Sequence, residues 1–142
     1  MKKTIIFVIT LVMCLSCGFF ISSSIDNAVV EATTTTWSNN ASTSFAGGTG
    51  TSANPYQIST PAQLAYLAKQ SNSTANFTKN KYFILTNSLD MSAHEWDKSI
   101  GGTSSSYYFS GYFDGKGYAI DNLAGNGLFY RVEATSSGHY IK

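Results

Sequence analysis

Cysteine, proline and charge are all scarce in this chain. Its 142 residues include two cysteines, two prolines and 12% charged residues, with a formal net charge of +1. We expect no nucleic-acid partner, because neutralising phosphates requires a basic patch. Cys14 and Cys17 both lie in an N-terminal apolar run. The remainder therefore has no disulfide and must be held together by packing, unlike most small secreted eukaryotic domains.

The motifs of the common catalytic and metal sites are missing as well. The sequence has no Gly-x-Ser-x-Gly and no phosphate-binding loop. His94-Glu95 is not a zinc motif, because Lys98 occupies the position of the second histidine. His94 and His139 are isolated, so we expect neither a metal site nor a cofactor. The sequence predicts no enzymatic activity of its own.

The N-terminus has the pattern of a secretory signal peptide. Lys2 and Lys3 precede an apolar run from Thr4 to Ile21, and Val30-Glu31-Ala32 offers a cleavage site. An uncleaved anchor and a lipoprotein site at Cys17 remain as alternatives. In each case the chain after residue 32 is exported. We expect an extracellular protein, secreted or on the cell surface, that touches a membrane only through an uncleaved signal segment.

Residues 33–53 are rich in Ser, Thr and Gly and contain few apolar side chains. This composition predicts a flexible or loosely attached leader between the signal peptide (1–32) and the domain (54–142). Trp37 and Phe45 are its only large apolar residues. They are the two groups able to pin the leader to the domain.

The segment after the leader carries the start signals of a short helix. Thr60 is the expected N-cap, Pro61 occupies the first helical position, and Gln63 completes a capping box. Leu64 and Leu67 belong to a narrow apolar stripe. About three turns of helix cannot stand alone in water, so we expect this helix to cover another apolar surface.

Short strands separated by turns follow the helix. Tyr82–Met91 alternates with period two and is predicted to form one strand. In Tyr107–Asp114, Phe109 and Phe113 share one face, which leaves Tyr108, Ser110 and Tyr112 to face outward. Asp114-Gly115-Lys116-Gly117 predicts a turn, and an Asp-Gly pair places the expected positive φ at Gly115. The turn residues in this prediction are Asp114, Gly115 and Gly117.

The succession of these segments resembles the start of a bacterial surface-protein β-solenoid with GLUG-type repeats. The resemblance covers residues 47–129 and is carried by "GGTGTSANPYQISTPAQLAYLA", "YFILTNSLDMS", "EWDKSIGG", "YFSGYFDGKGYAIDNL" and "GNGLF". Such repeats also occur in adhesins and IgA-specific metallopeptidases. The resemblance implies a mainly β fold, the start of a right-handed parallel β-helix with one short capping α-helix. Repeats of this kind normally continue for several more coils. The resemblance therefore implies that residues 54–142 are the first coils of a longer protein, or a truncated reading of one.

Two functions fit this sequence. The first is an exported structural module for display, spacing or adhesion, with a glycan or a host or cell-surface protein as partner. Tyr108 and Tyr112 are then the candidate ligand-facing aromatics, although tyrosine also suits any strand that faces water. The second is the N-terminal fragment of an extracellular carbohydrate-active enzyme or peptidase whose catalytic part lies elsewhere. In both, an open strand edge at the far end invites self-association.

Overall fold

The computed structural model describes residues 35–133 and 141–142. The expected signal peptide, 1–32, and its cleavage site lie outside the described residues. The elements are β1 (Tyr56–Ile58), α1 (Pro61–Ser73), β2 (Tyr82–Leu85), β3 (Leu89–Asp90), a 3-10 turn (Ser105–Tyr107), β4 (Tyr112–Asp114) and β5 (Ile120–Asp121).

The strands pair in parallel. The order in one sheet is β1-β2-β4, and β3 pairs with β5 in a second sheet. Tyr56, Phe83 and Phe113 lie side by side in register, and Phe113 is bridged in parallel to Ile141. From 56 to 83 to 113 to 141, these neighbours are 27, 30 and 28 residues apart along the chain. Successive passes of the chain therefore run beside one another in the same direction.

Isolated parallel bridges continue this arrangement outside the named strands. They join Trp96 to Gly125, Ile100 to Phe129 and Phe109 to Val132. The residues of the earlier pass in each bridge are buried, and their side chains build the core with those of the strands. Phe109, for example, lies 6.0 Å from Phe83 and 5.0 Å from Phe129 between ring centroids. Aromatic rings from consecutive passes thus pack against each other inside the molecule.

The single strand expected over 82–91 is wrong, because this segment forms two strands in different sheets. The chain turns at Thr86 and Asn87, where the Thr86 N–H donates to Ile58 O at 2.9 Å. Leu85 before the turn and Leu89 after it are both buried. The alternation of apolar residues persists through the corner, so period-two patterning alone does not reveal the change of direction.

Helix α1 begins as a capped helix and differs in one detail from the expected capping box. The Thr60 hydroxyl oxygen accepts a hydrogen bond from the Gln63 N–H at 3.3 Å. The Gln63 side-chain oxygen accepts from the Ser59 N–H at 2.8 Å instead of from Thr60. Pro61 is the first helical residue, and Leu64 and Leu67 are fully buried. The hydrogen bond to the Gln63 side chain therefore comes from one residue earlier than in a standard capping box. Two backbone N–H groups at the helix start are still satisfied by side chains.

The expectation of a loosely attached leader is wrong for residues 35–53. Trp37 is only 7% exposed, and its Nε1–H donates to Met91 O at 3.0 Å. The ring of Phe45 stacks on that of Tyr56 at 4.6 Å. Low apolar content did not prevent attachment, because Trp37 is part of the hydrophobic core and Phe45 packs against that core.

The same leader pairs with the backbone of the first pass. Ala46 N–H donates to Gln57 O, and Gln57 N–H donates to Gly47 O, each at 2.9 Å. This antiparallel bridge lies on the side of β1 that does not pair with β2. Thr36 is bridged in parallel to Glu95, which extends the cover along the next part of the chain. The leader therefore satisfies backbone groups that the first pass would otherwise leave open.

Candidate functional site

The two candidate ligand-facing tyrosines have different surroundings. Tyr112 lies directly opposite Tyr82 in the parallel register of β2 and β4. Their rings are stacked, with centroids 4.2 Å apart and an angle of 2° between planes. Both side chains are half-buried and lie on the face of the sheet opposite Phe83 and Phe113. The result is an aromatic pair on the outward face of the three-stranded sheet.

Tyr108 lies on the other side of a bend in the chain and contacts Arg131. The guanidinium carbon of Arg131 is 4.7 Å from the centre of the Tyr108 ring, and its Nη1 donates to the Tyr108 hydroxyl at 3.4 Å. This is a cation–π contact across neighbouring passes. Tyr108 and Tyr112 therefore have separate partners and do not form one row of exposed rings.

The expectation that Ser110 faces outward is wrong, since its exposed fraction is 6%. Its N–H donates to the Thr78 hydroxyl oxygen at 3.1 Å, and its carbonyl accepts from the Asn80 N–H at 3.4 Å. Ser110 and Gly111 form an inward corner that lies against residues 78–81. This corner is the reason why the outward alternation breaks between Tyr108 and Tyr112.

Gly111 is the point of closest approach in this corner. A Cβ added there would lie 2.5 Å from Thr78 O and 2.7 Å from Lys81 O, which are both backbone atoms. We expect Gly111→Ala to lower the free energy of unfolding by about 2–3 kcal/mol, because the backbone must move apart. Gly127→Ala is the matched control, since the nearest atom to its Cβ is 3.7 Å away. Thermal melting of both variants tests this, and equal midpoints would contradict the close approach.

The predicted turn at residues 114–117 is present, but its backbone differs from the expectation. The Lys116 N–H donates to Asp114 Oδ1 at 2.8 Å, and the Lys116 ammonium group lies 2.9 Å from Asp114 Oδ2. The hydrogen bond from this N–H is the main reason why the pKa of Asp114 is lowered. The positive φ angles are at Lys116 (53°) and Gly117 (80°), so the assignment to Gly115 is wrong. The left-handed residues are the two central ones of the turn from Gly115 to Tyr118, in which the Tyr118 N–H donates to Gly115 O at 2.8 Å.

Other carboxylates of the described part also serve local structure. Hydrogen bonds from the Asn122 amide at 2.9 Å and the Ser92 N–H at 3.0 Å lower the pKa of Asp90. Burial acts to raise the pKa of Asp97, but hydrogen bonds from the Ser38 hydroxyl and N–H outweigh it and lower the pKa. Asp97 thereby fastens the leader to the loop after Trp96. Together with Asp114, these carboxylates hold turns and the contact between the leader and the domain.

Metal ligands do not converge in the part of the chain that the structure describes. Within residues 35–133 and 141–142, no group of three or more His, Cys, Asp and Glu comes together. His94 forms a hydrogen bond of 2.6 Å with the Thr35 hydroxyl and packs edge-on against Trp37 at 4.6 Å. This histidine helps to seat the leader. No helix of the same described part has the length and apolar character of a membrane span.

A cavity of about 380 Å³ lies between helix α1, the leader and the loop at Trp96. Lys69 and Lys98 are among its lining residues, and the other lining residues are neutral. The Asn72 amide in this lining donates to Ala68 O and to Ser99 O, at 2.7 and 2.8 Å. The Asn72 amide is thus bonded to the protein. We take the outward sheet face with the Tyr82–Tyr112 pair as the candidate surface for contact with a ligand.

The last pass of the chain presents a further exposed surface, which we call the terminal edge. It consists of the residues that pair in parallel with a buried residue of the pass before and have no later partner among the described residues: Ile120, Gly125, Phe129, Val132 and Ile141. Exposed apolar side chains accompany it, namely Tyr118, Tyr130, Val132 and Ile141. Tyr130 has the largest exposed fraction of these, 58%. Among the described residues, the leader therefore covers one side of β1, while the side chains along the terminal edge are exposed or half-buried.

In comparisons with known proteins, no family model, no curated protein and no solved structure matches this chain.

Proposed function

We infer that the chain is an exported structural module, the capped first coils of a right-handed parallel β-helix that serves display or adhesion outside the cell. The observation that supports this most is the parallel ladder from Tyr56 to Phe83, Phe113 and Ile141, with steps of 27, 30 and 28 residues. Regular steps between parallel neighbours are what a coil of nearly constant length produces. Connections between parallel strands are right-handed in almost all known proteins.

The leader and helix α1 fit the role of a cap in this proposal. A solenoid exposes an apolar end and unpaired backbone at its first coil. Leu64 and Leu67 of the helix are fully buried, and the leader pairs with Gln57 on the outer side of β1. A capped first coil behind a signal-like N-terminus is the arrangement of a module that folds after export. The signal pattern of residues 1–32 supports export, and the absence of cysteine after residue 32 requires stability without disulfides.

The outward face of the three-stranded sheet is the proposed contact surface. The stacked rings of Tyr82 and Tyr112 form an amphipathic patch that combines aromatic carbon with phenolic hydroxyls. Such a patch suits the apolar face of a sugar ring or a side chain of a cell-surface protein. We propose glycans or surface proteins as the partner class, and the module does not transform what it binds.

Tyr112→Ser tests this surface. We expect the variant to lose at least about tenfold in affinity for the glycan or cell surface that retains the wild-type chain, because one ring of the pair contributes a large part of the contact. Tyr118→Ser is the matched control, since Tyr118 is 44% exposed and lies outside the pair. Retention on immobilised glycans and on cells, with melting curves for each variant, measures the effect. Equal loss in both variants, or no retention of the wild type, would contradict the proposed surface.

Export is tested separately by determining the N-terminus of the chain recovered outside a bacterial host. We expect it to begin at Thr33. A chain that stays inside the cell with its first residues intact would contradict the extracellular location.

A further inference from the structure

We propose that the chain forms a symmetric dimer in which the segment Arg131–Glu133 pairs in antiparallel fashion with the same segment of a second copy. This inference concerns assembly and does not depend on which ligand the module binds. It rests on the backbone groups of the terminal edge, on the order of charges around Val132 and on the cover over the opposite end.

The terminal edge has backbone groups available for pairing. Phe109 N–H donates to Arg131 O at 3.0 Å, and Glu133 N–H donates to Phe109 O at 2.8 Å. In a parallel ladder these bonds leave the N–H and C=O of the intervening residue, Val132, pointing away from Phe109. Among the described residues neither group of Val132 has a hydrogen bond. An exposed edge of this kind is a template for another strand.

The same geometry holds at the other bridges of the last pass. Tyr130 N–H donates to Ile100 O at 3.0 Å, and Leu128 O accepts from Ile100 N–H at 2.8 Å, so the groups of Phe129 point outward. Backbone geometry alone therefore does not determine which residue of the terminal edge lies at the centre of the dimer contact.

The charges of the neighbouring side chains favour Val132 as the centre of the contact. Its neighbours are a cation, Arg131, and an anion, Glu133, whereas no other residue of the terminal edge lies between opposite charges. In an antiparallel pair centred on Val132, the two Val132 residues exchange both backbone hydrogen bonds. Arg131 then lies opposite the second copy's Glu133, and the reverse pair forms by symmetry. Opposite charges directly across an antiparallel pair are stabilising, and like charges are destabilising.

Apolar surface around the edge favours the same partner. Tyr130, Val132 and Ile141 are exposed, and Phe129 next to them is half-buried. Val132 is in register with the buried Phe109, so its side chain lies on the core side of the strand. A second copy presents the same open end of its core. Pairing the two ends continues one apolar interior across the symmetry axis and removes this surface from water.

The covered opposite end limits the assembly to two copies. The leader already pairs with Gln57 on the outer side of β1, through Ala46 N–H and Gly47 O. A head-to-tail contact at β1 would therefore have to displace this leader segment. Contacts between identical surfaces are isologous and close after two subunits. We expect a dimer and not a fibre.

Sedimentation velocity and light scattering over a range of concentrations test the dimer, with the chain in the form that the cell produces. We expect a monomer–dimer equilibrium. Glu133→Lys should weaken the dimer at least tenfold, because it puts two cations opposite each other at both symmetric positions. Glu133→Gln should have an intermediate effect. Arg131→Glu combined with Glu133→Lys exchanges the charges and should restore most of the wild-type affinity.

Lys79→Glu is the control for a charge change on an exposed residue away from the edge, and it should leave the dimer unchanged. Melting curves at low concentration separate loss of the dimer from loss of the fold, which matters because Arg131 also contacts Tyr108. A monomer at all concentrations, polymers longer than a dimer, or a dimer insensitive to Glu133→Lys would overturn the proposal. Failure of the charge exchange to restore association in a folded double variant would also overturn the antiparallel register.

Discussion

Leu67→Asp is expected to abolish the cooperative thermal unfolding of this domain. Leu67 is fully buried in the face of helix α1 that packs on the core, together with Leu64, Ala65 and Ala68. Removing a buried leucine side chain costs about 2–5 kcal/mol, and an unpaired buried carboxylate adds a further penalty. This is comparable to the whole stability of a typical small domain, about 5–15 kcal/mol. The same reasoning applies to Leu64→Asp.

Lys69→Asp is the matched control, because Lys69 is exposed in the same helix. A surface substitution of this kind changes the free energy of unfolding by about 0.5 kcal/mol. Circular dichroism with temperature distinguishes the two variants. A Leu67→Asp variant with an unchanged melting midpoint would mean that helix α1 does not cover the core. Our proposal that this helix caps the first coil would then be contradicted.

Trp37→Ala is expected to have the second largest effect, about 3–5 kcal/mol of destabilisation, which is typical of a buried tryptophan. Trp37 is 7% exposed, donates from Nε1 to Met91 O at 3.0 Å and packs on His94. Its loss removes the contact that anchors the leader and leaves Met91 O without this donor. We expect a lower melting midpoint and faster proteolysis within residues 35–53.

Thr43→Ala in the same segment serves as the comparison, because Thr43 is exposed. We expect its melting midpoint and its pattern of proteolytic cleavage to equal those of the wild type. If Trp37→Ala also melts and is cleaved like the wild type, the leader contributes nothing to the stability of the domain. The leader would then be the loosely attached segment that its composition predicts.

Local signals in the sequence predicted the helix well. Thr60 and Pro61 act within one turn of the helix, so their effect is visible in the sequence without knowledge of the fold. The buried face with Leu64 and Leu67 also follows from the helical period. The turn at Asp114 is equally local, although its left-handed residues are Lys116 and Gly117 and not Gly115. An Asp-Gly pair indicates a turn but not which of its residues have positive φ.

The corners of the coil depend on contacts with other passes of the chain, and they were not predicted from the sequence. Ser110 is turned inward because its N–H meets the Thr78 hydroxyl, 32 residues earlier. The break after Leu85 is held by Thr86 N–H and Ile58 O, 28 residues apart. Period-two alternation is a property of one strand and does not record which neighbour it meets. The separate surroundings of Tyr108 and Tyr112 follow from the Ser110 corner and were not predictable either.

The leader shows the limit of composition as a guide. Residues 33–53 contain many Ser, Thr and Gly, a feature of flexible segments. Two of its side chains attach the leader to the domain. Trp37 donates a hydrogen bond to Met91 O, and the ring of Phe45 stacks on that of Tyr56. An average over the segment conceals them, although both were visible as its only large apolar residues.

Nuclear Overhauser contacts between backbone protons test the parallel stack most directly, because parallel and antiparallel pairs differ in which protons meet. We expect contacts across the pairs Tyr56–Phe83, Phe83–Phe113 and Phe113–Ile141, all between amide and α protons as in parallel strands. Close contacts between α protons of Phe83 and Phe113, which are the mark of an antiparallel pair, would contradict the stack of coils. So would the absence of any contact between residues 82–85 and 112–114 in a folded chain.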